Sequence, residues 1–123
     1  MAHCLIVDDS RVIRAVARRI LEELNFVVTE AEDGMTSLRA CREKMPDLIL
    51  LDWSMPGMSG VELVRAARLG RPELPVLFVT GFGGSALPEG EEAPGEVLHK
   101  PFRTAELAER VATVLGRHPP LRR

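Results

Sequence analysis

Five short apolar runs constrain this chain more than any other feature. They are residues 4–7 (CLIV) before Asp8-Asp9, 26–31 (FVVTEA), 48–52 (LILLD), 74–80 (LPVLFVT) and 96–100 (EVLHK). Their interiors are apolar throughout rather than alternating, which is the pattern of strands buried on both faces. Segments of helical period separate them. Ser10 can cap the first helix. Ile13, Val16, Ala17, Ile20 and Leu24 then recur on one face, with Arg14, Arg18, Arg19, Glu22 and Glu23 between them. Asn25 can end that helix. Residues 35–44 read as a helix with Leu38, Cys41 and Met45 inward, and Pro46-Asp47 punctuates. Residues 60–69 read as a third helix, with Val61, Leu63, Val64 and Ala67 as its apolar set. Residues 104–116 form the last, carrying Leu107, Val111, Val114 and Leu115. Strands alternating with helices imply parallel pairing, hence an α/β fold with a doubly wound five-stranded parallel sheet covered on both faces. Residues 81–95 break the rhythm. They hold five glycines and two prolines where a fourth helix belongs, so at most one or two turns are expected, around Gly84 to Leu87, followed by an acidic loop.

Composition narrows the function classes. A chain of 123 residues suits one domain with a core of its own. A net charge of -2 offers no basic stripe for a nucleic-acid backbone. Cys4 and Cys41 fit neither a disulfide framework nor a metal finger. Both lie in apolar-patterned segments, as small buried thiols do, and point to a reducing compartment. The apolar run after Met1 meets two acids too soon for a signal peptide or a spanning helix, so a cytoplasmic protein without membrane contact is expected.

In an open parallel sheet, ligands bind at the carboxyl ends of the strands, where strand order reverses. Asp8 and Asp9 follow the first strand, Asp52 ends the third, Thr80 the fourth and Lys100 the fifth. Taken singly, each has an ordinary role: a helix cap, a turn acid, a strand residue, a solvated charge. Jointly they fit one chemistry. Three crowded carboxylates repel one another and want a cation. Hard oxygen ligands with room for water suit Mg²⁺. An aspartate oxygen can then attack a phosphoryl group and form an acyl phosphate, while a lysine and a hydroxyl hold the phosphoryl oxygens. On this reading the third strand presents Asp52 as the phosphate acceptor.

The motifs VDDS, LLDWSMPGMSG, VTG and HKPF resemble the receiver domain of two-component response regulators, the CheY-like (flavodoxin-like) (βα)5 fold. The likeness spans residues 3–116. It implies that Asp52 is the phosphoacceptor, that Asp9 binds Mg²⁺ directly and Asp8 through water, and that the Ser54 backbone carbonyl completes the protein's metal ligands. Thr80 and Lys100 would bind the phosphoryl group. It also implies a histidine kinase or histidine phosphotransfer protein as donor, a downstream protein partner of unknown identity, and a monomer or weak dimer. The receiver would occupy residues 1–118, with 119–123 as a short basic tail. Residues 78–102 look like CpdR-type single-domain regulators and like receivers attached to hybrid histidine kinases.

Three departures from the family pattern stand out. Val97 occupies the place three residues before the lysine where an aromatic is usual, and the chain has no tyrosine. The fourth-helix region is rich in glycine and proline. Gly81 leaves little bulk beside Thr80. The conformational change is therefore expected to pass through 81–95, with Phe82 repositioned. Alternatives are a receiver belonging to a hybrid kinase, a phosphorylation-independent binding module, and a haloacid-dehalogenase-type phosphatase. The last would require an acid two residues beyond the nucleophile, where Ser54 stands, and a nucleophile on the first strand.

Overall fold

A computed structural model describes residues 2–52, 60–80, 96–100 and 102–117. The expectations for Trp53, Ser54, the loop from Met55 to Ser59, Gly81, Phe82, the turns near Gly84 to Leu87, and the tail 119–123 lie outside the described residues. The element order is β1 (His3–Val7), α1 (Arg11–Glu23), β2 (Val27–Ala31), α2 (Gly34–Glu43), β3 (Leu48–Asp52), α3 (Gly60–Arg68), β4 (Val76–Thr80), β5 (Glu96–His99) and α4 (Thr104–Arg117).

The strands form one sheet in the order β2-β1-β3-β4-β5, and every pairing is parallel. The doubly wound expectation holds. Strand order reverses between β1 and β3, which opens a crevice at their carboxyl ends. Alternation along each strand divides the core in two. Cys4, Ile6, Leu48, Leu50, Leu77, Val79 and Leu98 pack with α1 and α4. Leu5, Val7, Ile49, Leu51, Val76 and Phe78 pack with α2 and α3. The three strands β1, β3 and β4 are buried at every position, as continuous apolar runs require.

Two expectations need correction. The run of β2 is not buried throughout: Val27 and Thr29 face solvent while Val28 and Ala31 are buried. β2 is an edge strand, covered less completely than its inner neighbours. On α1, Val16 and Leu24 are exposed, and the buried stripe is Ala17, Ile20 and Leu21. These three lie at i, i+3 and i+4, a single face, whereas Val16 sits beside it and Leu24 caps the helix end. Cys4 and Cys41 are buried free thiols, and burial pushes both thiol pKa values up.

Local chemistry sets the helix ends. The Ser10 hydroxyl accepts from the Ile13 N–H at 3.3 Å, as expected of a cap. Asp33 caps α2, its carboxylate accepting from the Thr36 N–H at 2.8 Å. Beyond α1, Asn25 takes φ 68°, while Asn25 N–H donates to Glu22 O and Phe26 N–H to Leu21 O, both at 3.0 Å. This pair of bonds and the left-handed residue make a Schellman turn, which feeds the chain into β2. No described helix is long and apolar enough to cross a membrane.

Candidate functional site

Register brings the acids together. Val7 pairs with Leu51, so Asp8 and Asp52 each take the next place along adjacent strands. Both continue the rows that face α1 and α4: Cys4, Ile6, Asp8 on one strand and Leu48, Leu50, Asp52 on the other. Lys100 follows the same parity after Leu98. Its Nζ lies 3.1 Å from Asp8 Oδ2 and 3.6 Å from Asp52 Oδ1. Its backbone N–H donates to Thr80 O at 2.8 Å, which ties the end of β5 to that of β4. Asp9 is exposed, and one carboxylate oxygen from each of Asp8, Asp9 and Asp52 lies within 4.8 Å of the others.

Five residues singled out by sequence are thus placed at one rim, though not equivalently. Asp8 and Asp52 are 2% and 5% exposed, so their charges are held away from bulk water. Burial raises the Asp8 pKa, and the Asp52 charge adds to the rise. The Ser10 N–H, donating to Asp8 Oδ1 at 2.8 Å, and the Lys100 ammonium pull the other way. Among the described residues, three acids against one lysine leave an excess of negative charge. That donor set, all hard oxygens with one face open at Asp9, fits a small divalent cation such as Mg²⁺. Thr80 stands on the other parity, with Val76 and Phe78, and is 1% exposed. Its Oγ1 lies 2.9 Å from Nδ1 of His99, its register partner. Ser54 lies outside the described residues.

Sequence reasoning missed two contributors. Arg14, read only as part of a polar face, donates from Nη1 to the Asp8 carbonyl at 2.6 Å and from Nε to Glu30 Oε1 at 3.0 Å. It clamps the loop carrying both acids against β2. Glu30 also accepts from Arg18 Nη1 at 2.7 Å; Arg18, with Arg14 behind it, holds the Glu30 carboxyl below its ordinary pKa. His99 stood beside Lys100 in the HKPF motif without a role. Its link to Thr80 follows only from pairing β4 with β5.

A doubly wound parallel sheet with acids at its switch point and a lysine leaning across them defines a class: an α/β domain built to hold a cation and an anionic group at its carboxyl rim. The sequence profile described as "Response regulator receiver domain" matches residues 4–112, and the chain belongs to that family. Among curated relatives, it is 32% identical over 117 residues to the response regulator receiver protein CpdR of Brucella abortus, covering 94% of this chain and 98% of CpdR. It is 38% identical over 122 residues to the phosphate regulon transcriptional regulatory protein PhoB of Pseudomonas aeruginosa, covering 94% of this chain but 52% of PhoB. The chain thus spans nearly all of one relative and about half of the other. Among solved structures, a response regulator from Chloroflexus aurantiacus superposes with a TM-score of 0.83, at 30% identity, over 94% of this chain and 98% of that one. Receivers are the signalling modules of two-component systems, and phosphoryl acceptance is their general function.

Proposed function

We propose that this receiver accepts a phosphoryl group on Asp52 in a Mg²⁺-dependent reaction and thereby switches a protein-binding surface. The observation that carries the reading is the convergence of Asp8, Asp9 and Asp52 with Lys100 at the β1/β3 crevice. Asp8, Asp9 and Asp52 would hold the cation, with the Ser54 carbonyl as the further ligand that the family resemblance supplies. Mg²⁺, when bound, offsets negative charge on the phosphoryl oxygens. An Asp52 carboxylate oxygen attacks phosphorus as the P–N bond of a phosphohistidine donor breaks, and the leaving imidazole retains the bond's electron pair and takes up a proton. Lys100 places its charge on a phosphoryl oxygen, and Thr80 offers a hydroxyl. Water attacking phosphorus releases inorganic phosphate and restores the Asp52 carboxylate. A histidine kinase or phosphotransfer protein is the donor, which sets the cytoplasm as the working compartment, and a second protein reads the switched state.

The test uses acetyl phosphate as donor. Label should appear only with Mg²⁺ and should be lost in alkaline hydroxylamine, as an acyl phosphate is. Asp52→Asn should not label. Label that persists in that variant, or that resists hydroxylamine, refutes the assignment.

A further inference from the structure

The Thr80 hydroxyl is almost wholly buried, and a buried hydroxyl needs a hydrogen-bond partner. Its partner here is the imidazole of His99, with Oγ1 and Nδ1 2.9 Å apart. Thr80 and His99 are register partners on β4 and β5, and β5 is the edge of the sheet. Their rows continue directly behind them: Phe78 pairs with Val97, and both pack on the α2/α3 side of the core. Val97 is short and β-branched, with little reach. The side chain of β5 that touches the hydroxyl is instead two residues nearer the rim, and it is exposed.

We infer that the Thr80–His99 hydrogen bond is this receiver's switch contact: His99 accepts the Thr80 hydroxyl proton in the unphosphorylated protein and loses it to the phosphoryl group, which frees the imidazole at the sheet edge. The inference rests on phosphoryl acceptance at Asp52. A hydroxyl has one proton to donate. A phosphoryl oxygen is a charged acceptor and makes the stronger bond, so it wins the exchange with a neutral ring nitrogen. The exchange requires Nδ1 to be the bare nitrogen and Nε2 to carry the hydrogen. Were Nδ1–H the donor, Thr80 could serve both neighbours and nothing would be exchanged. His99 is thus a positioning residue, acting on the site through Thr80, and its exposure makes the change readable by a partner. No aromatic at Val97 is needed.

Imidazole ¹⁵N spectra of the full chain at fixed neutral pH, with His99 assigned through His99→Asn, give the test. Without any phosphoryl mimic, Thr80→Val should move the His99 Nδ1 resonance toward that of a ring lacking a donor. With Mg²⁺ and beryllofluoride, the wild-type resonance should move to the same place, and that of Thr80→Val should stay put. Beryllofluoride binding is followed independently by Trp53 fluorescence. His99→Ala removes the competitor and should bind beryllofluoride about two- to twelve-fold more tightly, the worth of a net hydrogen bond. His99→Asn, whose amide oxygen can accept in place of Nδ1, should restore wild-type affinity. A protonated Nδ1 in the unphosphorylated protein, or no response of His99 to Thr80→Val, overturns the inference. Beryllofluoride binding that leaves the His99 resonance in place overturns it while sparing Asp52 as acceptor. No binding at all removes the Asp52 reading and the exchange together.

Discussion

Replacing Asp8 with Asn should make the metal-free protein more stable, and Mg²⁺ should invert the order. Asp8 is 2% exposed, lies within 4.8 Å of Asp52 and Asp9 by carboxylate oxygens, and meets Lys100 at 3.1 Å. At an effective dielectric of about 20, repulsion from Asp52 costs about 3.5 kcal/mol and attraction to Lys100 returns about 5 kcal/mol. Asp9 is exposed and screened, so its share is about 1 kcal/mol at most. The burial penalty of an ion, several kcal/mol, then tips the balance against the charge. The raised Asp8 pKa has the same sign. Asparagine keeps the acceptor for the Ser10 N–H and sheds the charge, for a net gain of about 1–2 kcal/mol, or roughly 3–8 °C in melting temperature. Mg²⁺ at a hundred times its Kd should return about 2.7 kcal/mol to the wild type. It should return little to the variant. Thermal melts in chelator and in Mg²⁺ measure both arms. A pH series adds a sign check. With its pKa raised in the folded state, Asp8 contributes stability that is complete below the ordinary value of 3.8 and is lost as pH rises through the folded pKa. The variant's metal-free advantage should therefore shrink as pH falls toward that value. A variant less stable than wild type in chelator, or equal stabilisation of both by Mg²⁺, refutes the reasoning.

Arg14→Ala should lower stability by about 1–3 kcal/mol in urea denaturation, because the Asp8 carbonyl and Glu30 lose a half-buried charged donor. It should also weaken Mg²⁺ binding by Trp53 fluorescence, since the loop carrying Asp9 loses its clamp; unchanged metal affinity would confine Arg14 to a structural role. At Asn25, with φ 68°, alanine should cost about 1 kcal/mol, because it keeps the Cβ but lacks the short polar side chain that lets asparagine tolerate the left-handed region. Glycine there should stay within about 0.5 kcal/mol of wild type, and equal losses for the two would mean that the left-handed turn is not what Asn25 provides.

Sequence alone determined the elements and the chemical set. The interior of a strand covered on both faces must be apolar, so β1, β3 and β4 announced themselves, and Asp8, Asp52 and Thr80 stood out as polar residues ending such runs, with Lys100 after the edge strand β5. Ser10 and Asn25 marked the ends of α1 because a cap is written within a few residues of the helix it closes. Only tertiary structure decided what met what. The burial of β2 was misread because its pattern depends on its being at the edge, which no local period records. The α1 stripe shifted to Leu21 because packing, not spacing, selects among neighbouring apolar rows. Lys100 reaches Asp8 and Asp52, while Thr80 meets His99, because strand order and register put residues of like parity side by side. Arg14 finds the Asp8 carbonyl because α1 packs back across β1 and β2. Periodicity reports which face of an element is apolar. Neighbours across strands are set when the chain closes distant loops, and that information is held in the assembled sheet.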